Sequence, residues 1–460
     1  MAVPAAGAAT FTVTRTDDPV PGPCDADCSL REAIRAANTG LGGDTIVVPG
    51  GLYRLALAGA NEDAAATGDL DLTKNVTIMG AGASWTTADA GGLDRVFDVA
   101  GGTTVEISGL TITGGLVNDN GGGISSAATL RLVGVVVSGN VAVAANIWNG
   151  GGIDSNGTLT VEASTIAGNE GYNGGGLNVG GSATIVNSTI AGNRAGVPGA
   201  NGDGGGINVS ATTTVTVTNT TIAANQAFNG AGAGGGISGA ATLKNTIVAS
   251  NLSHTYTGDF VTTTVSDDCS GTITSQGHNL ASDTTCALTG AGDRQGVDAR
   301  LGPLAANGGQ TQTMALLAGS PAIDGGDNLG CPAADQRGDP RPQGTACDIG
   351  AFEFDRIAPT AAFQLIAQRL RAALRRGYAA FFWTDESASA VLRIFHRGRR
   401  VATGAATADE AGRERIRATF TRAAKRRLAR AGRVTLSLRL AVTDQNGNTR
   451  TIRKRVTLRR

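Results

Sequence analysis

Aromatic residues are scarce in this chain, with 11 Phe, 4 Tyr and 3 Trp among 460 residues. A large irregular core takes much of its buried area from such rings, so this composition argues against one. Charge is thin too, at 17% of residues. Lysine occurs only at 74, 244, 425 and 454, and histidine only at 254, 278 and 396. No stretch approaches the ~18 apolar residues of a membrane span, so none is expected. The opening residues 1–10 lack the basic and long apolar regions of an intact secretion signal. They read as a disordered start or as the small-residue remnant of a signal peptide that lies upstream or is cleaved near residue 10.

Glycine is what the chain has in quantity, at 69 residues. With Thr, Ala, Val and Asn it suits many short strands joined by tight turns. The zero net charge conceals a split. Residues 1–356 carry 14 basic and 32 acidic side chains, a balance of −18; residues 357–460 carry 24 and 6, a balance of +18. Two separately built parts are expected. The six cysteines fall into three local pairs, Cys24–Cys28, Cys269–Cys286 and Cys331–Cys347. Such pairs fit disulfides and an oxidising compartment. Zinc is the competing reading, but it wants CxxC spacing or nearby histidines.

One phrase recurs between 109 and 251. Its apolar position is Ile112, Val137, Ile166, Ile190, Ile222 and Val248, stepping by 25, 29, 24, 32 and 26 residues. A second phrase, Gly-Gly-Gly followed by Ile or Leu, interleaves at Ile124, Ile153, Leu177, Ile207 and Ile237. Short runs within each unit alternate polar and β-branched residues with period two, which is strand patterning. No helical pattern separates them. Coils of short strands stacked about 4.8 Å apart make a β-solenoid, in which equivalent residues form columns. The Ile/Val positions form an interior column. Three residues earlier, Gly109, Gly134, Ala163, Asn187, Asn219 and Asn245 mark a corner suited to left-handed backbone. Three residues later, Asn140, Asn169, Asn193, Asn225 and Asn251 are placed to form an amide ladder.

A solenoid needs caps. Residues 24–38 supply the first: Ser29 and Glu32 form a capping box, and Leu30, Ala33, Ile34 and Ala37 share one helix face. The stretch Cys28-Ser-Leu-Arg-Glu-Ala-Ile34 resembles the signature of bacterial CSLREA-domain proteins. Gly302-Pro-Leu, Gly319 to Asp324, Asp335 to Gly338 and Cys347 to Glu353 resemble the tail of choice-of-anchor Q domain proteins. The Gly and Asn repeats are similar to polymorphic outer-membrane-protein repeats of the pectate-lyase-like superfamily. These resemblances cover roughly residues 10–354. They imply a secreted or cell-surface right-handed parallel β-helix over 11–354, with a C-terminal cap at 300–354.

Residues 355–460 read as a basic β-sandwich resembling the Ig- or fibronectin-like modules appended to secreted actinobacterial proteins. Strands are expected at 378–383, 390–395, 433–442 and 449–458, and a short helix at 423–431. The charge of +18 allows three readings: a solvated strand face, binding of an anionic polymer, or docking on the acidic solenoid. No nucleic-acid motif is present, and a monomer is expected.

The function expected is adhesion, carbohydrate binding or envelope scaffolding without catalysis; the alternative is a polysaccharide lyase or glycoside hydrolase. For catalysis the candidates are Asp268 and His278, which faintly echo the acid-then-histidine order of polygalacturonases. Across 109–251 no column of the repeat holds catalytic residue types. Trp148, Tyr172 and Phe228 occupy similar loop positions on different coils and are candidate sugar platforms, against the alternative that they pack on the coil wall. Asp119, Glu170 and Asp203 are loop acids that a Ca²⁺ ion would suit. No fixed-spacing metal motif appears, so no resident cofactor is expected.

Overall fold

The computed structural model describes residues 7–60, 62–142, 150–196, 202–210, 213, 215–228, 233–257, 260–355, 359–385, 387–444 and 448–460. The chain divides into two compact units, Met1–Phe354 and Asp355–Arg460. All three cysteine pairs are disulfides.

The first unit is a parallel β-solenoid. Three long sheets run along it, with ten, nine and eight strands, and a seven-stranded sheet begins at Leu116–Val117. Strand register places Ile112 beside Val137, then Ile166, Ile190, Ile222 and Val248 in unbroken order. All six are buried, and each contributes about 1.5–3 kcal/mol by leaving water. The corner column behaves as its residue types predict. Gly109, Gly134, Ala163, Asn187, Asn219 and Asn245 all have positive φ, between 45° and 63°.

The amide ladder is present and buried. Asn140 donates its Nδ2 to Asn169 Oδ1, and Asn169, Asn193 and Asn225 repeat the bond to the next Asn at 2.9–3.0 Å. Each of these amides also donates to the carbonyl of an interior-column residue. The Gly triplets follow from this corner. A Cβ on Gly206 would lie 2.6 Å from Gly236 O and 3.0 Å from Asn225 Nδ2, so only glycine fits against the ladder.

The N-terminal cap is a helix, Leu30–Thr39. Ser29 Oγ accepts from Glu32 N, and Glu32 Oε2 accepts from Ser29 N. The helix closes the core with Leu30, Ala33, Ile34 and Ala37. It also buries Arg31 completely. That guanidinium grips Asp18 with two bonds of 2.8 and 3.0 Å and donates to the carbonyls of Thr67, Gly68 and Asp69.

The other end differs from the expectation of a cap over 300–354. The core is closed there by the disulfide-bonded turn that carries Cys286 and Leu288. Residues 299–354 instead form a strap that runs back along the side of the solenoid. Thr311 Oγ1 bonds Ala163 O, Asn187 Nδ2 bonds Ala334 O, and Asn245 Nδ2 bonds Asp327 O. A second apolar cluster forms between wall and strap, from Ile247, Ala249 and Leu280 to Leu316, Ile349 and Phe352. The physical reason is the outer face of this sheet: its small apolar residues and Thr hydroxyls give the strap both burial and hydrogen-bond partners.

The second unit is antiparallel. Its strands form one seven-stranded sheet in the order Ala361–Leu365, Tyr378–Thr384, Gly412–Phe420, Arg399–Ala408, Ala388–His396, Arg433–Asp444 and Thr449–Arg459. These strands share a core that includes Phe363, Tyr378, Phe382, Leu392, Leu436 and Leu440. The expected short helix is Arg422–Leu428, and a second helix, Leu370–Arg376, was not read from the sequence.

Candidate functional site

The residues singled out in the sequence do not assemble into one site. Asp268 is fully buried. Its Oδ1 accepts from Asn251 Nδ2 at 2.9 Å, and its Oδ2 accepts from Ser282 N and Oγ. Burial raises its pKa, opposed by those donors. It is the last acceptor of the amide ladder, not a group open to substrate. His278 has positive φ and bonds through Nδ1 to Gly325 O in the strap. The partners of neither residue include the other.

Phe228 is 5% exposed. It stacks on His254 at 4.5 Å, and the Arg194 guanidinium lies 4.3 Å from its centroid. The ring therefore packs on the coil wall. Tyr172 is half-buried. Trp148 lies outside the described residues. The loop acids stay apart. Asp119 is paired with Arg95, Glu170 pairs in register with Arg194, and Asp203 follows a further coil on. Among the described residues no group of three or more His, Cys, Asp or Glu side chains is arranged to hold a metal ion.

Two sites emerge that the sequence reading missed. The first is an acidic cleft of about 450 Å³ on the earliest coils. Asp71 and Asp98 are register partners on adjacent coils, and the same column continues through Ser125, Asp154, Asn178 and Asn208. Arg95 lies among the acids, 3.7 Å from Asp69 and 3.1 Å from Asp119, and in contact with Asp98. Glu62, Asp63 and Asp94 complete the lining. Burial, reinforced by Asp71 and Asp94, pushes Asp69 up to about 8. Burial pushes Asp71 up to about 6. At neutral pH Asp69 therefore keeps its proton beside a mostly ionised neighbour, the pairing of unlike carboxyls that acid–base chemistry uses. The repeat hid this cleft because its coils precede the first Gly triplet.

The second site lies in the basic unit. His396, Arg397, Arg399, Arg427 and Arg433 line a pocket of about 370 Å³. The four arginines are exposed. Between described residues no ion pair falls within 355–460; every one lies between Arg15 and Glu353. The pocket thus presents several guanidinium forks with no acid of the described residues in its lining, a geometry suited to carboxylate, sulfate or phosphate oxygens. No helix of the described residues is long and apolar enough to cross a membrane. No family model matches the chain, and no curated protein or solved structure does.

Proposed function

We propose that the chain is a secreted or cell-surface binding scaffold whose basic unit holds an anionic polymer of the envelope or matrix. The observation that carries this reading is the arginine pocket at His396–Arg433, lined by cations that no described acid neutralises. Exposed like charges at this density raise the local potential and favour a polyanion over a small neutral ligand. The three disulfides are compatible with an extracellular setting. The test is binding of the full chain to polygalacturonate and poly(ribitol phosphate), with neutral dextran as control. The expected result is retention of both polyanions, weakening steeply with salt. Triple replacement of Arg397, Arg399 and Arg427 by Ser is expected to lower affinity about tenfold or more. Salt-independent binding, or a triple variant that binds as well as the parent, overturns the reading.

A second reading rests on the acidic cleft. We infer that, if the chain is an enzyme, it is a glycoside hydrolase with protonated Asp69 as general acid and Asp71 or Asp98 as its partner. Release of reducing ends from a polysaccharide panel, lost in Asp69→Asn, supports it. Absence of turnover across the panel, or turnover unchanged in Asp69→Asn, removes it.

A further inference from the structure

We propose that the solenoid carries a groove for a neutral saccharide, between the indole of Trp85 and the amide of Gln310. This site lies outside the arginine pocket and the acidic cleft, and its case stands without either.

Trp85 is 74% exposed, in a chain with three tryptophans. It precedes a strand that pairs Thr86 with Gly51, and its carbonyl accepts from Gly51 N at 2.8 Å. A groove of about 400 Å³ opens nearby; Gln310 lines it, and Trp85 stands outside its lining, across Gly82. Its floor is formed by Gly80, Gly109 and Gly134, and its far wall by Gln310, Gln336 and Arg337 of the strap. A Cβ built on Gly82 would lie 3.3 Å from Trp85 Cδ1 and 3.5 Å from Gln310 Oε1. Ring and amide thus flank the same glycine.

The corner column explains why the groove is hollow. The strap docks at four corner residues: Thr311 Oγ1 donates to Ala163 O, and the amides of Asn187, Asn219 and Asn245 donate to strap carbonyls, Ala334 O at 2.8 Å, Asp348 O at 3.3 Å and Asp327 O at 3.0 Å. Gly109 and Gly134 adopt the same left-handed backbone, at φ 63° and 58°. Asn tolerates that backbone, as the later coils demonstrate. At Gly109 a Cβ would meet the Gly80 carbonyl oxygen at 2.8 Å, so close packing requires glycine; at Gly134 it would meet only Gln310 Oε1, at 3.9 Å, so there the backbone does not demand glycine. What glycine provides there is empty space beyond the end of the strap.

The wall is chemically sorted. Gln336 is fully committed inward: its Nε2 donates to Thr165 Oγ1, Thr311 Oγ1 and Gln312 O, and its Oε1 accepts from Thr189 Oγ1. Arg337 is neutralised by Asp335 and Asp339. Gln310 bonds to no described residue. What remains for a ligand is a flat apolar ring, an uncommitted amide that both donates and accepts, and no net charge. That combination fits the face and hydroxyls of a pyranose better than an anion or a purely apolar chain.

The test is titration of the full chain with hexasaccharides of β-1,4-linked glucose, mannose, xylose and N-acetylglucosamine, followed by tryptophan fluorescence and calorimetry. At least one is expected to bind with a blue shift in emission. Trp85→Ala is expected to weaken it at least about tenfold. Gly134→Asn is expected to remove it by filling the floor, with the melting temperature kept because Asn takes this backbone at 187, 219 and 245. Arg397→Ser, in the other unit, is expected to leave it unchanged. Failure of all four sugars to bind, or binding that survives either Trp85→Ala or Gly134→Asn, overturns the proposal.

Discussion

In the solenoid, Arg31 lies fully buried against Asp18, and Arg341 lies buried among Glu353 and the carbonyls of Asp348 and Gly350. In the basic unit, Arg397, Arg399 and Arg433 face solvent with no described acid beside them. The same side chain does opposite work in the two regions. The solenoid recruits polar groups into its architecture and bonds them there, with a few atoms such as Arg341 Nε left over. The basic unit has a continuous apolar core, and the arginines of its last two strands are left on exposed positions. A charge already bound inside the fold is a poor guide to function. An unneutralised one is a good guide.

Breaking Arg31 gives the sharpest test of that contrast. Arg31→Leu leaves the Asp18 carboxylate buried without its partner, and the solenoid is expected to lose about 3–5 kcal/mol. Calorimetry would show the solenoid transition fall while that of the basic unit holds. A loss below about 1 kcal/mol contradicts the structural role of this ion pair.

The ladder comes next. Asn193→Ala removes the acceptor of Asn169 and the donor to Asn225. Orphaning those groups is expected to cost about 1–3 kcal/mol in denaturant unfolding. An exposed residue of the same type, such as Asn156, would cost far less.

The acidic cleft supplies a pH dependence. Between its unfolded value of 3.8 and its folded value of about 8, Asp69 holds a proton that the unfolded chain releases. Its contribution to stability is therefore complete in acid and is lost as pH rises towards about 8. Raising pH from 6 to 8 is expected to destabilise the solenoid by up to about 2 kcal/mol, and Asp69→Asn to flatten that slope. A parent protein with no slope in this window would show that Asp69 is already ionised.

The smallest effect is expected where the charges are uncommitted. Arg397→Ser and Arg399→Ser together are expected to change stability by less than about 0.5 kcal/mol. Should they destabilise the basic unit by several times that, its arginines are structural and the contrast with the solenoid dissolves.

How much of this was readable in advance follows from periodicity. Ile190, Asn187 and Asn193 announce themselves because each recurs at fixed offsets from coil to coil. The partner of Arg31 does not: Asp18 lies 13 residues upstream in a segment that never repeats. The path of the strap was hidden for the same reason, since its bonds join residues some 80 to 170 positions apart. Asp71 and Asp98 belong to a column, but one whose later members are Ser, Asp and Asn, so residue type did not mark it. In the basic unit, the strand at 399–408 rests on Ala and Thr where stronger apolar alternation would have given it away, and the strand at 412–420 opens on charged residues and buries only Ile416, Ala418 and Phe420.

The amide ladder also has a direction. Every Nδ2 points towards the next coil and every Oδ1 towards the previous one, so the side-chain dipoles add head to tail along the solenoid. At the first coil the negative end, Asn140 Oδ1, is met by Gly115 N at 3.0 Å. At the last coil the positive end meets a carboxylate, Asp268. An amide passes the chain of bonds onward; a carboxylate accepts and has nothing to donate. The exchange of Asn for Asp at one position thus works as a stop signal for a polar filament, which ends at Asp268 with its last donor, Asn251 Nδ2, satisfied.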